Sequence, residues 1–284
     1  MAGTLYLCAT PIGNLEDITF RVIRILKEVD LIAAEDTRHS IKLLNHFDIK
    51  TPMTSYHEHN KFEKAGYLVE QLQQGVNIAC ITDAGTPGIS DPGEELVRQC
   101  HAAGVAVTSL PGAAACITAL TMSGVSARRF CFEAFLPAGK RERQWVLNEL
   151  MDETRTIIIY EAPHHLIRTL DELGQVLGME RRLTLCRELT KKHEEAFLTT
   201  FAGALEHYRT QVPRGEYVLV IAGRAVEEIR GQQQRSWEEL SLEAHMELYE
   251  GQGVARKEAM RLVAKDRGIS KRDVYQELLE GKEI

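Results

Sequence analysis

The chain has 284 residues, enough for more than one domain, and its 44% apolar and 26% charged composition is that of an ordinary globular protein. A formal net charge of −7 excludes a nucleic-acid binder that works through its whole surface, so any RNA contact must come from local basic patches. No stretch has the length of a membrane span and the first ten residues lack the charged start of a secretory leader. Six scattered cysteines with no Cys-x-x-Cys pair fit the reduced thiols of a cytoplasmic protein.

In chain order, Leu5 to Ala9 reads as a strand. Asn14 stands where a helix cap belongs, with Asp17 three residues on, and Ile18, Val22, Ile25, Leu26 and Val29 give that helix one apolar stripe. Leu31 to Ala34 and Met53 to Ser55 are short strand-like runs, and Lys61 to Gln74 is helical by pattern until Gly75 stops it. Asn77 to Thr82 and Val105 to Leu110 read as buried strands around a helix from about Gly93 to Ala103. This alternation predicts an α/β fold with a mostly parallel sheet and helices on both faces.

A small-residue helix follows Pro111-Gly112. New strands then come at Phe130–Phe135, Thr156–Tyr160, Arg182–Arg187, Phe197–Phe201 and Tyr217–Ala222, with helices between several of them. They predict a second α/β domain and a ligand cleft between the two. Gln232 to Ser236 reads as a polar linker, with helices over Trp237–Tyr249 and Val254–Arg267 beyond it. Gly268-Ile-Ser270 forms a turn, and Ser270 with Asp273 can cap a last helix, giving a helix-turn-helix-like tail. The expected division is 1–115, 116–224 and a C-terminal helical appendix, 225–284.

Three loops that follow strands carry the chemistry. The first, Ala9-Thr-Pro-Ile-Gly-Asn14, is neither a G-x-G-x-x-G fingerprint nor a Gly-Lys-Ser/Thr phosphate loop, and Gly13 permits close backbone approach. The second, Thr82 to Gly93, holds three glycines, two prolines and two aspartates. Its bare carbonyls and carboxylates suit a cationic or hydroxyl-bearing ligand, a sulfonium or a ribose among them. The third, Ser109 to Ala115, is built of small residues that let a flat ligand or another chain segment approach.

In this order and spacing the three loops resemble the tetrapyrrole methylase superfamily. Thr86 stands where that group usually has aspartate, and Ser90 where it has an aromatic, which turns the expectation away from a corrin or porphyrin substrate. The chain is similar instead to one branch, the ribosomal RNA small subunit methyltransferase I family. The likeness runs through Thr10–Asp17, Ala34–Arg38, Ser55–Asn60, Asp83–Asp91, Leu110–Ala113, Tyr160–His164, Arg187–Lys191 and Gly215–Tyr217. It implies two α/β domains, the second with a mixed sheet, and S-adenosyl-L-methionine in the cleft between them. It further implies 2′-O-methylation of a cytidine in the decoding region of 16S rRNA within the small ribosomal subunit, and a homodimer. The cofactor positions it points to are Pro11, Gly13, Asp83, Ala84, Gly85, Ile89, Ala113, Ala114, Tyr160, Glu161, Ala162 and Tyr217.

A hydroxyl acceptor calls for a general base, and His57 and Asp36 are the two candidates, each also able to serve as a plain hydrogen-bonding group. His57-Glu58-His59 lacks the H-E-x-x-H spacing, so no metal is expected. Positive charge for RNA gathers at Lys140, Arg141 and Arg143, at Arg187, Lys191 and Lys192, and in the tail at Arg256, Lys257, Arg261, Lys265, Arg267, Lys271 and Arg272. The ordinary alternative for each group is a solvated helix face. Two other functions stay open at this point. One is a small-molecule methyltransferase of the tetrapyrrole type. The other is a nucleic-acid-binding protein without activity, which leaves the three loops unexplained.

Overall fold

Short apolar runs separated by helix-length segments pair in parallel through crossovers. The computed structural model, which describes residues 2–280, contains that arrangement. Strands β1 (Thr4–Cys8), β2 (Leu31–Ala34), β3 (Met53–Ser55), β4 (Ile78–Ile81) and β5 (Ala106–Leu110) form an all-parallel sheet in the order β3-β2-β4-β1-β5. Connections that step one way across such a sheet place their helices on one face, and connections that step back place theirs on the other. Accordingly α1 (Phe20–Glu28) and α2 (Thr37–His46) pack with Cys8, Ile32, Ala34, Ala79 and Ile81. The opposite face carries α3 (Lys61–Gln73) and α4 (Gly93–Ala102), packed with Leu5, Leu7, Ala33, Ile78 and Cys80. Successive residues of each central strand thus feed two cores, which is why these strands lack a polar face.

The second sheet comprises β6 (Phe130–Phe135), β7 (Thr156–Glu161), β8 (Arg182–Arg187), β9 (Glu195–Thr200) and β10 (Tyr217–Ile221), in the order β6-β7-β10-β8-β9. Only β6 and β7 run parallel; the other three pairings are antiparallel, so the sheet is mixed. Helix α5 (Ala115–Met122) covers Ile158, Val218 and Val220 on one face. Helices α6 (Lys140–Leu150), α7 (Leu166–Leu177) and α8 (Phe201–Thr210) cover Ile157, Ile159, Leu219 and Ile221 on the other. An extra residue in β6, Ala134 at φ 51°, breaks the register between Phe132 and Phe135.

The chain divides into two compact units, one up to Ala222 that holds both sheets and one from Gly223 on. In the second, α10 (Leu242–Gly251), α11 (Arg256–Arg267) and α12 (Lys271–Glu280) share a core of Leu242, Met246, Ala259, Val263, Val274 and Leu278. Gly268 turns α11 into α12 at φ 66°. The Ser270 hydroxyl accepts from the Asp273 amide at 3.2 Å while the Asp273 carboxylate accepts from the Ser270 amide at 3.0 Å, a reciprocal cap.

Two local expectations fail. Asn14 caps a single 3-10 turn, Leu15–Asp17, and Thr19 caps α1, its hydroxyl accepting from the Val22 amide at 3.1 Å. The stretch Gln232 to Ser236 is helical, inside α9 (Val226–Glu238), because straight-chain polar residues favour a helix as readily as they solvate a linker. Trp237 therefore lies in the last turn of one helix, and Ser241 caps the next.

Candidate active site

In a parallel sheet the loops at the carboxyl ends of the strands gather on one edge, and here side-chain and backbone bonds tie them together. Thr10, after β1, forms a two-bond bridge with Gly85, after β4: each amide donates to the other's carbonyl, at 2.9 and 3.1 Å. The Thr10 hydroxyl also donates to the Thr82 carbonyl at 3.2 Å. Thr86 donates its hydroxyl to the Ala113 carbonyl at 2.8 Å, joining the second loop to the third. Asp91 folds the second loop on itself, accepting from the amides of Gly88, Ile89 and Gly93 at 2.8–2.9 Å. Gly85 and Gly88 take φ values of 89° and 85° that a side chain would strain.

Against these loops stand the ends of β7, β8 and β10. Between the two sets lies a cavity of about 390 Å³, within the range of small-molecule sites. Its polar groups include Glu35, Asp83, Gly85, Thr86, Glu161 and Lys191; its apolar walls include Ile12, Ile89, Ala114, Phe135, Tyr160 and Leu189. Of the sequence-derived cofactor positions, Asp83, Ala84, Gly85, Ile89, Ala114, Tyr160, Glu161, Ala162 and Tyr217 line this cavity. Pro11, Gly13 and Ala113 lie in the same loops but not on its wall. A Cβ on Gly13 would sit 2.4 Å from Lys191 Cγ, so the close approach at that glycine is to protein.

Several wall groups are fixed by their neighbours. The Tyr160 hydroxyl accepts from the Cys116 amide at the start of α5 (3.1 Å), and its ring meets Phe132 and Phe135 edge-on at 4.9 and 5.7 Å between centroids. Burial pushes that phenol up. Tyr217 Oη is bonded to Tyr208 Oη at 3.2 Å and accepts from the Arg214 amide at 3.3 Å. Lys191 Nζ donates to Glu188 at 3.0 Å and Glu216 at 3.2 Å. Burial pulls that ammonium down, but the two carboxylates outweigh it and the net shift is upward.

The two sequence-derived base candidates lie elsewhere. Asp36 caps α2, accepting from the Arg38 amide at 2.8 Å, and pairs with the Arg38 guanidinium at 2.9 Å. Those bonds hold its carboxyl down at about 2. His57 does not line the cavity; its amide donates to Asn60 Oδ1 at 2.8 Å. Among the carboxylates that line the cavity is Glu35, one residue before Asp36. Half-burial pushes Glu35 up, as do its neighbours Asp83, Asp91 and Asp36, against a 3.4 Å bond from the Asp83 amide that pulls the other way. Sequence reasoning passed over Glu35, although its place directly after β2 was a usable signal.

The basic groups divide as well. Lys191 belongs to the cavity wall. Arg143 is buried in the second-sheet layer, bonded to Glu172 at 2.6 Å and Thr169 at 2.7 Å, and so is closed to RNA phosphate. Arg267 is buried too, donating to the Leu240 and Ser241 carbonyls and to His245 Nδ1. Arg187 pairs with Glu195, Arg256 with Glu250 and Arg261 with Glu258. Lys140, Arg141, Lys192, Lys257, Lys265, Lys271 and Arg272 are exposed. Among the described residues no cluster of three or more His, Cys, Asp or Glu side chains could hold a metal ion, and no helix is long and apolar enough to cross a membrane.

A two-sheet unit with tied strand-end loops around one cavity is the plan of a methylase class, and the family model of Tetrapyrrole (Corrin/Porphyrin) Methylases matches residues 4–205. A solved diphthine synthase superposes with a TM-score of 0.62 at 11% identity, over 78% of this chain and 90% of that one, a likeness of fold. Among curated proteins, ribosomal RNA small subunit methyltransferase I of Synechocystis sp. is 48% identical over 98% of both chains. The protein of the same name from Halalkalibacterium halodurans is 49% identical over 96% of this chain and 93% of that one. The chain belongs to the ribosomal RNA small subunit methyltransferase I branch of the tetrapyrrole methylase family. Its methyl donor is S-adenosylmethionine.

Proposed function

We propose that this protein transfers a methyl group to the ribose 2′-hydroxyl of a cytidine in the decoding region of 16S rRNA, acting as a homodimer on the small ribosomal subunit. The observation that carries the reading is the cavity itself, walled by all three strand-end loops, together with relatives named for small-subunit rRNA methylation. The donor set fits the cofactor. Carboxylates at Glu35, Asp83 and Glu161 complement a cationic, hydroxyl-bearing molecule, and Ile12, Ile89, Ala114 and Leu189 accept its flat apolar part.

Bound there, S-adenosylmethionine supplies a methyl group already activated by its sulfonium. The chain must then orient the acceptor and take its proton. Orientation alone contributes up to about 7–11 kcal/mol in well-aligned model systems, and a base adds about 10²- to 10⁴-fold. We assign the base to Glu35, because Asp36 is committed to Arg38 and the start of α2 while Glu35 faces the cavity in a setting that raises its proton affinity. The exposed cations of the tail and of α6 are assigned to rRNA phosphates, which position the substrate without reading its sequence. The test is mass mapping of 2′-O-methyl sites in rRNA from cells with and without the gene, beside calorimetry of cofactor binding to the purified protein. A missing cytidine methyl in the deleted cells supports the reading; an unchanged map, or no cofactor binding, sinks it.

A further inference from the structure

Arg143 reads from the sequence as one cation of a basic surface group, but the fold turns it inward. It is 9% exposed and lies behind the cavity wall, not in front of it. Its Nε donates to Glu172 Oε2 at 2.6 Å, and Glu172 Oε1 accepts from Arg168 Nε at 2.8 Å. Arg143 Nη2 donates to the hydroxyl of Thr169 at 2.7 Å. That hydroxyl, with its acceptor side taken by the guanidinium, has one proton left to give, and it donates it to Glu161 Oε2 at 2.5 Å. Glu161 Oε1 accepts from the Ala162 amide at 2.8 Å. Thr169 is 0% exposed and Glu161 5%, so every member of the chain from Arg143 to Glu161 is buried.

We propose that Arg143 and Thr169 are positioning residues for the methyl-transfer site: through a single-file hydrogen-bond relay they fix the Glu161 carboxylate in the pose that receives donor groups of S-adenosylmethionine. The inference rests on the reading of the cavity as the cofactor site. Behind Glu161 lies a second space of about 200 Å³, walled by Phe135, Leu136, Arg143, Glu161, His165 and Arg168. Glu161 therefore stands, with Phe135 and Ala162, between two voids, and packing alone does not prevent its side chain from swinging backward. The Thr169 hydroxyl does. Its single proton also sets the direction of the relay: Arg143 has only protons to offer, so Thr169 must donate onward to the carboxylate. Each Glu161 oxygen keeps a lone pair for a hydroxyl or amino group of the ligand. A preset acceptor spares the cofactor the entropy of ordering it.

The relay makes opposite demands on two conservative changes at one position. Thr169→Val keeps shape and removes the hydroxyl; Thr169→Ser keeps the hydroxyl and removes a methyl group. S-adenosylmethionine is titrated into the full-length protein by calorimetry without RNA, with melting temperatures taken in parallel. The expected result is a Kd raised about tenfold or more by Thr169→Val and within about threefold of the parent for Thr169→Ser, since a hydrogen bond to a charged group is worth about a factor of ten or more. In a Glu161→Gln background the Thr169→Val change should add little, because both act on one carboxylate. Arg143→Lys, which cannot serve Glu172 and Thr169 with the same fork, should weaken binding in the absence of RNA, and it carries the test if Thr169→Val does not fold. Equal binding by Thr169→Val and parent, or a Thr169→Ser defect as deep as that of Thr169→Val, overturns the relay. An Arg143→Lys effect seen only with RNA present returns Arg143 to the surface role and overturns it too. If the parent itself does not bind, the cofactor reading fails first and the relay falls with it.

Discussion

Replacing Gly13 with alanine tests how the first loop meets the second sheet. The added Cβ would lie 2.4 Å from Lys191 Cγ, 2.8 Å from Thr190 Oγ1 and 3.0 Å from the Leu189 carbonyl oxygen. Ordinary carbon contacts need about 3.5–4.0 Å, so something must move by about 1 Å. Lys191 Cγ is close to the main chain and the Leu189 oxygen is main chain, so rotating a side-chain tip does not relieve the clash. Overpacking of this kind costs about 1–3 kcal/mol, which for a unit of this size lowers the melting temperature by about 2–12 °C. Because Leu189 and Lys191 also line the cavity, the Kd for S-adenosylmethionine should rise on the order of tenfold. Scanning fluorimetry and calorimetry read the two effects. Gly66→Ala is the control: it lies inside α3 with its nearest neighbour, Gln99 Oε1, 3.9 Å away, and should stabilise by about 0.5–1 kcal/mol. If Gly13→Ala melts and binds like the parent, the contact argument is wrong. Lost binding at an unchanged melting temperature would mean that Gly13 touches the cofactor itself.

Further outcomes follow from the charges. Burial makes Glu35 take a proton more readily in the folded protein than in the unfolded chain. Holding it ionised therefore costs stability as pH rises above the unfolded carboxylate value of about 4.3. Glu35→Gln should then be more stable than the parent at neutral pH, lose that advantage below about pH 4, and be unable to methylate; equal melting curves across this range would refute the burial argument. In the tail, His245 stacks on Trp237 with centroids 4.1 Å apart and accepts from Arg267 Nε at 3.2 Å. Burial, then Arg267, hold its pKa below the ordinary histidine value. The unfolded chain is protonated first, so the helical unit should lose stability as pH falls through about 6.5. Trp237 fluorescence, read in a Trp145→Phe background, should follow that loss, and a flat response from pH 8 to 5 would contradict it. Removing residues 223–284 should leave cofactor affinity intact and lower rRNA methylation; unchanged methylation would strip the tail of its RNA-holding role.

The sheet strands were legible because buried parallel strands are dense in apolar residues and are punctuated by glycine and proline. The ends of β2, β3, β6 and β8 match the sequence reading to the residue. The three loops that wall the cavity were legible for the same reason, since bare backbone needs small residues. What escaped was the meaning of charged residues. Glu35 and Asp36 are neighbours in sequence, and only the fold turns one to the cavity while the other caps a helix. Arg143, Lys191 and Arg267 all counted as surface cations, yet each is held by partners distant in sequence: Thr169 and Glu172, Glu216, and Leu240. A spacing rule sees a charge but not the acceptor that claims it. Thr86 is the converse case. As a departure from a family pattern it narrowed the substrate, and the structure gives it a mechanical task, tying the second loop to the third.

The order of strands in the two sheets also dictates when the site can exist. β1 is the first strand made, yet its partners are β4 and β5, so Leu5 and Leu7 have no sheet to join until the chain has grown past Ile81, and their second neighbour comes only with Leu110. β10 is the last strand made, yet it lies at the centre of its sheet, between β7 and β8. Each sheet is thus closed by a strand from the far end of its own segment, an arrangement of long-range contacts that folds slowly and leaves apolar strands exposed while it waits. A nascent chain halted between Ala115 and Tyr217 contains all three loops but lacks the part of the cavity wall that β10 supplies. The cavity is therefore completed late in synthesis, when the final strand takes its place in the middle of a sheet whose other strands are already made.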